Sequence, residues 1–144
     1  MRALLDVSVL IALLDANHVF HEKVHEWWEK NGPLGWASCP LSENGAIRIM
    51  TNHSYPRPKK LSVSEVLSHL RDFASHTNHQ FWAEDISLRD ISIFDPARML
   101  NGTHLTDIYL LALAARNQGR LVTLDQNIPL SPVRIAQPEN LSIL

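Results

Sequence analysis

The sequence predicts an α/β fold with a mostly parallel central β-sheet flanked by α-helices. Short apolar runs bounded by turn residues alternate with helix-length stretches along the whole chain, the pattern of strands joined by helical crossovers. Two of those runs, Ala3–Asp6 and Arg120–Leu124, end on or directly before an aspartate. The 144 residues contain no repeat, low-complexity tract or evident linker, so a single domain spanning 1–144 is expected.

Each element has its own warrant. Ala3–Asp6 is a short apolar run closed by an acid and reads as a buried strand. Ser8–Leu14 reads as a helix apolar nearly all round, hence covered on most sides. Glu22–Lys30 is a more polar helix that Gly32-Pro33 stops. Leu34–Ala37 is the second strand, and Pro40 in a first turn opens a helix to Met50. His53–Lys60, with two prolines and three basic residues, is an exposed loop. Ser62-x-x-Glu65 forms a capping box for a helix reaching about His76. Phe81–Trp82 suggests a short strand, and Asp95-Pro96 suggests a cap followed by a first-turn proline. Thr106–Asn117 is a strong helix with Gly119 assigned as its C′ residue. Arg120–Leu124 is a further strand, and Leu141–Leu144 adds an edge strand.

Composition excludes several classes. Apolar residues make up 45% and charged residues 19%, which is globular rather than disordered. One cysteine, Cys39, excludes an internal disulfide and a CxxC zinc ribbon. The N-terminal apolar run is interrupted by Asp6 and closed by Asp15 with no cleavage site, so a soluble, cytoplasmic chain without membrane contact is expected. A net charge of −2 argues at first against a nucleic-acid partner, because phosphate binding normally shows as a cationic excess.

Four acids change that reading. Asp6 and Asp125 lie at strand ends, Glu43 in the first turns of the helix after the second strand, and Asp107 at the start of the Thr106 helix. In a parallel sheet, helices begin at the edge where strands end, so all four are expected to converge there. Each also has a bland use: Asp6 as a helix cap, Glu43 and Asp107 as dipole complements, Asp125 in an Asx turn before Asn127. The Thr106 helix is apolar nearly all round, however, and a carboxylate at the end of a buried helix needs a cation or strong donors. Clustered carboxylates without cysteine suit hard cations, Mg²⁺ or Mn²⁺ rather than zinc. Such ions activate water and stabilise leaving oxygens, so the expected reaction is phosphodiester hydrolysis. With the four acids set aside, thirteen basic residues face eleven acidic ones, and the objection to a nucleic-acid substrate lapses.

At these residues the chain resembles PIN-domain ribonucleases, and among them the VapC-type toxins of toxin–antitoxin pairs. The matching segments are LLDVSVLIALLD around Asp6, WASCPLSENGAIRIM around Glu43, LTDIYLLALAARNQGRLVTLDQNI around Asp107 and Asp125, and HxxxHEWW from His21. The resemblance implies the PIN fold, Mg²⁺ or Mn²⁺ dependence, and cleavage of structured RNA such as tRNA or rRNA. It also implies homodimers and a cognate antitoxin partner. By carry-over Asp6, Glu43 and Asp107 are the metal ligands and catalytic acids, and Asp125 completes the site directly or through water. Ser8 and Asn127 are supporting donors. Many relatives have a basic residue after the fourth acid; this chain has Gln126.

Other features have competing uses. His21 and His25 share a helix face but lack a third ligand, so solvated surface histidines are expected. His104, close before Asp107, is the one histidine expected to touch the site or substrate. Cys39 lacks a partner for nucleophilic chemistry and reads as a structural thiol. Trp27, Trp28 and Trp82 are core or dimer anchors before they are base-stacking platforms. Arg57, Lys59 and Lys60 either hold RNA backbone or solvate a loop. Functional alternatives are a housekeeping PIN nuclease, a receiver-like signalling domain with an acidic pocket, and a non-catalytic binding module. Asp6-Val7-Ser8 lacks the paired or second acid of the receiver and DxDxT phosphatase patterns, and no lysine follows Lys60.

Overall fold

A computed structural model describes residues 1–144. Five strands form one sheet: β1 (Ala3–Leu5), β2 (Trp36–Ser38), β3 (His79–Phe81), β4 (Arg120–Thr123) and β5 (Leu141–Ile143). They lie in the order β3-β2-β1-β4-β5, and all four pairings are parallel. This order differs from the 2-1-3-4-5 arrangement of receiver-type sheets, which removes that alternative. The helices are α1 (Val7–Leu14), α2 (His21–Asn31), α3 (Pro40–Met50), α4 (Val63–Ser75) and α5 (Leu105–Arg116).

Alternation along the strands places a core on each face of the sheet. Leu4 and Leu121 point into one core with Ile108, Leu111 and other residues of α5. Ala3, Leu5 and Val122 point into the other, against Val9 of α1, Ala46 of α3 and Val66 of α4. Trp28 packs with Trp27, Trp36 and Phe73; Trp27 and Trp28 lie partly buried against the core and Trp82 is buried in it, the anchoring use expected for these three indoles. Cys39 is fully buried, which pushes its thiol pKa up, consistent with a structural role. No helix is long and apolar enough to cross a membrane.

Several boundaries differ from the sequence expectation. The second strand is Trp36–Ser38 rather than Leu34–Ala37, because Gly32–Leu34 continues α2 as a 3₁₀ turn. Gly35 then turns the chain at φ 106°, a conformation that favours glycine. The third strand is His79–Phe81, not Phe81–Trp82. Asp95 does cap its segment, accepting from the Ala97 amide at 3.1 Å, but only one 3₁₀ turn follows.

Gly119 is not the left-handed residue after α5; Gln118 holds that role at φ 56°. The Gln118 amide donates to Ala115 O at 3.0 Å and the Gly119 amide to Ala114 O at 2.8 Å, the paired bonds of a Schellman stop. Glycine at 119 meets a different demand. A Cβ there would lie 2.6 Å from the Arg2 carbonyl oxygen and 2.7 Å from the Trp82 ring. The Ser62–Glu65 capping box forms as expected, each side chain accepting from the other residue's amide.

Candidate active site

The sheet order creates a switch point between β1 and β4. The chain leaves β1 toward β2 on one side, whereas β4 pairs on the other, so a crevice opens past their carboxyl ends. Asp6 follows β1 directly, and Asp125 lies two residues beyond β4. Asp6 is 8% exposed and caps α1: Oδ1 accepts the Val7 amide at 2.7 Å, and Oδ2 accepts the Thr123 hydroxyl at 2.8 Å. Burial raises its carboxyl pKa; the Thr123, Val7 and Ser8 donors oppose that, and the Asp125 charge adds to it. Ser8, expected as a supporting donor, lies in the first turn of α1 beside Asp6.

Asp107 stands in the first turn of α5, half-buried. Its pKa is raised by burial and by the charges of Asp6 and Asp125, with His104 working against them. His104 Nδ1 lies 3.5 Å from Asp107 Oδ2 and 3.7 Å from Asp125 Oδ2. His104, Asp107 and Asp125 each place a ligand atom within 4.8 Å of the others. Asp125 also makes the Asx turn foreseen as its bland role, Oδ1 accepting the Asn127 amide at 2.9 Å. Asn127 thus supports the site through its backbone, not its side chain. Gln126 turns away to the C-terminus, donating to the Leu144 carbonyl at 3.2 Å.

Glu43 is not brought into this cluster. Its Oε1 accepts the Ser38 hydroxyl at 2.5 Å, and Ser38 Oγ lies 2.8 Å from His79 Nε2. A hydroxyl has one proton, so a Ser38 donating to Glu43 requires His79 Nε2 to be the donor in the second bond. Asp6 and Asp107 instead line a groove of about 420 Å³ with Leu41, Thr106 and Arg48, a cation close in space though remote in sequence.

Sequence reasoning missed Thr123, Ser38, His79 and Arg48. Ser38 and Thr123 carried a usable signal: each is the last residue of a buried strand, where a hydroxyl needs a partner. Arg57 was offered as an RNA contact, but it is pinned to Asp15, NH2 lying 3.3 Å from Oδ1 with Tyr55 alongside. The His21–His25 pair holds no ligand set. His21 Nδ1 sits 2.6 Å from the Ala12 carbonyl oxygen, and His25 Nδ1 lies 3.7 Å from Glu29.

A family model described as "PIN domain" matches residues 3–130. This chain is a PIN-domain protein. Within that family it is 43% identical to Ribonuclease VapC44 of Mycobacterium tuberculosis, with 100% of both chains covered. It is 38% identical to Ribonuclease VapC38 of the same species, over 88% of this chain and 86% of that one. A crystal structure described as VapBC2 from Rickettsia felis bound to a DNA fragment from their promoter superposes with a TM-score of 0.54. That match covers 87% of this chain and 89% of the other at 11% identity, so it speaks to the fold alone.

For this PIN domain the donor set fits a hard divalent cation. Asp107 and Asp125 meet with one imidazole and no thiolate, and Asp6 lies near enough that its charge helps raise the Asp107 pKa.

Proposed function

We propose that this PIN-domain protein is a Mg²⁺- or Mn²⁺-dependent endoribonuclease that cuts structured RNA such as tRNA or rRNA. It acts as the toxin of a toxin–antitoxin pair, in the cytoplasm, as a homodimer of single-domain chains held in check by a cognate antitoxin. The observation that carries the reading is the convergence of Asp6, Asp107 and Asp125 past β1 and β4, with His104 the one basic group seated between Asp107 and Asp125. Likeness over all or most of the chain to proteins named ribonucleases supports the substrate class.

Asp6, Asp107 and Asp125 would hold the cation, and Glu43 would join them if it leaves Ser38. When bound, the cation supplies Lewis-acid polarisation of a phosphodiester and lowers the pKa of the attacking water. The chain's own residues set the geometry. Thr123 and Val7 fix both oxygens of Asp6, Asn127 fixes one oxygen of Asp125, and His104 bridges Asp107 to Asp125. Arg48 places positive charge on the groove wall opposite the acids, where it screens them from an incoming phosphate.

The test is cleavage of total RNA by purified protein with Mg²⁺ or Mn²⁺, stopped by EDTA and absent in Asp107→Asn. Cleavage that survives both EDTA and Asp107→Asn overturns the site. Induction in a bacterial host should arrest growth, with rescue by the cognate antitoxin; active protein without arrest indicates a housekeeping nuclease instead.

A further inference from the structure

We propose that Arg98 and Arg134 form a phosphate-gripping subsite at the outer of two adjoining hollows that begin at His104, and that the RNA strand leaves the cleavage site along them. The proposal rests on the reading of the protein as a ribonuclease and adds where the strand runs.

Two hollows make the groove. The inner one, about 210 Å³, is lined by His104, Asn101, Ser131 and Arg98 among others. Its His104 wall is the same imidazole that bridges Asp107 and Asp125. The outer hollow, about 560 Å³, shares Arg98 and Ser131 with the inner one and adds Arg134 and Asp95 over an apolar floor including Val133 and Ala136. The two hollows thus adjoin through Arg98 and Ser131, and the inner one abuts the acidic cluster at His104.

The pair is fixed in place before any ligand arrives. Asp95 Oδ2 lies 3.3 Å from Arg98 Nε and 3.5 Å from Arg134 NH1. Arg134 Nε also donates to the Ile91 carbonyl at 2.9 Å. The Asp95 side chain is mostly buried, whereas the Arg98 and Arg134 side chains are exposed over about half of their surface or more. Arg98 keeps both terminal nitrogens free and Arg134 keeps NH2. Two cations on one anion leave a net positive charge, and guanidinium forks match phosphate oxygens. A carboxylate that orients two arginines without neutralising both is suited to an anion that arrives later. The polymer that must already pass the acids supplies such an anion at every nucleotide.

The experiment measures binding of a short fluorescent single-stranded RNA carrying 2′-O-methyl groups, which resist cleavage, to the full-length chain as a function of salt. Cleavage of unmodified RNA by the wild type is followed in parallel. Each phosphate contact on a single strand contributes about 0.7 to the slope of log affinity against log salt, about fivefold at 0.1 M relative to 1 M. Arg98→Ala with Arg134→Ala should lower the slope by about 0.7 and weaken binding about fivefold at 0.1 M salt. Arg98→Ala alone removes one fork without touching the Ile91 bond and should shift both in the same direction. Unchanged slope and affinity in the arginine variants, while the wild type still cleaves RNA, overturns the subsite and leaves the ribonuclease reading standing. Loss of binding to an acidic peptide without any change in RNA binding also overturns it, because the pair would then be a protein-docking site. A wild type that cleaves no RNA under any metal overturns the ribonuclease reading instead.

Discussion

Thr123 Oγ1 donates to Asp6 Oδ2 at 2.8 Å and accepts the Asp125 amide at 3.0 Å, so a single buried hydroxyl ties the acid after β1 to the turn carrying the acid after β4. The two strands are neighbours, with Leu5 opposite Val122, and the hydroxyl locks the register of the site as well as that of the sheet. Thr123→Val keeps the shape and removes the bond. RNA cleavage should fall about 10- to 100-fold, as for other groups that orient metal-binding side chains. The unfolding free energy should drop by about 1–3 kcal/mol, because Asp6 and the Asp125 amide each lose a partner in a buried place. Single-turnover cleavage and urea titration measure the two effects; full activity in a stable variant would show that Asp6 needs no such support.

The raised pKa values of Asp6 and Asp107 set a pH dependence. Burial is the main cause in both, and the folded protein holds these protons more tightly than the unfolded chain, whose carboxyls titrate near 3.8. Their contribution to stability is therefore complete below pH 3.8 and is lost as pH rises through the raised folded values. Without divalent metal at pH 7, Asp107→Asn should melt about 2–4 °C above the wild type, the gap closing toward acid pH. Calorimetry in EDTA across that range decides the matter, and a less stable variant at neutral pH would contradict it.

Ser38 holds Glu43 away from the aspartates, with His79 donating to the serine from behind. Ser38→Ala frees Glu43 of its only side-chain donor. Freed of it, Glu43 can join Asp6, Asp107 and Asp125, and the metal concentration for half-maximal cleavage should fall about tenfold. Initial rates across a Mg²⁺ titration give the readout, and an unchanged or weaker metal dependence would show that Ser38 does not hold Glu43 back.

Asp15, 3% exposed at the end of α1, has its own clasp far from the strand ends. Tyr55 Oη donates to Oδ2 at 2.5 Å, the Asn17 amide donates to Oδ1 at 3.0 Å, and Arg57 stands by. Burial works to raise its pKa, but these partners outweigh it and hold the carboxyl below 3.8, while the Tyr55 phenol is pushed up to about 12 by burial and by Asp15. The stability from Asp15 is thus present above pH 3.8 and lost as pH falls through the depressed value. Tyr55→Phe should cost about 2 kcal/mol at pH 7, with a smaller difference in acid and unchanged RNA cleavage at 25 °C. Chemical denaturation at the two pH values checks this; equal losses at both would remove Asp15 ionisation from the explanation.

Local sequence signals located most elements because their causes are local. Pro40 opens α3, Ser62 and Glu65 box the start of α4, and the consecutive apolar pairs Leu4-Leu5 and Leu121-Val122 mark strands covered on both faces. Where a boundary moved, a nearby geometry overrode composition: Gly35 at positive φ displaced the second strand, and Gln118, not Gly119, took the left-handed position. Gly119 is required instead by the approach of Arg2 and Trp82, residues distant in the chain.

The sequence by itself determined the α/β class and the placement of Asp6 and Asp125 at strand ends, because strand and helix periodicities and chain order suffice for those. Only the tertiary structure decided that β1 and β4 are neighbours, that Thr123 joins their acids, that Glu43 turns to Ser38 and His79, and that Arg57 belongs to Asp15. Apart from the Ser38–Glu43 bond, these are contacts between residues tens of positions apart. Their partners are chosen by packing and by the need to satisfy buried polar groups, neither of which leaves a mark at fixed spacing in the chain.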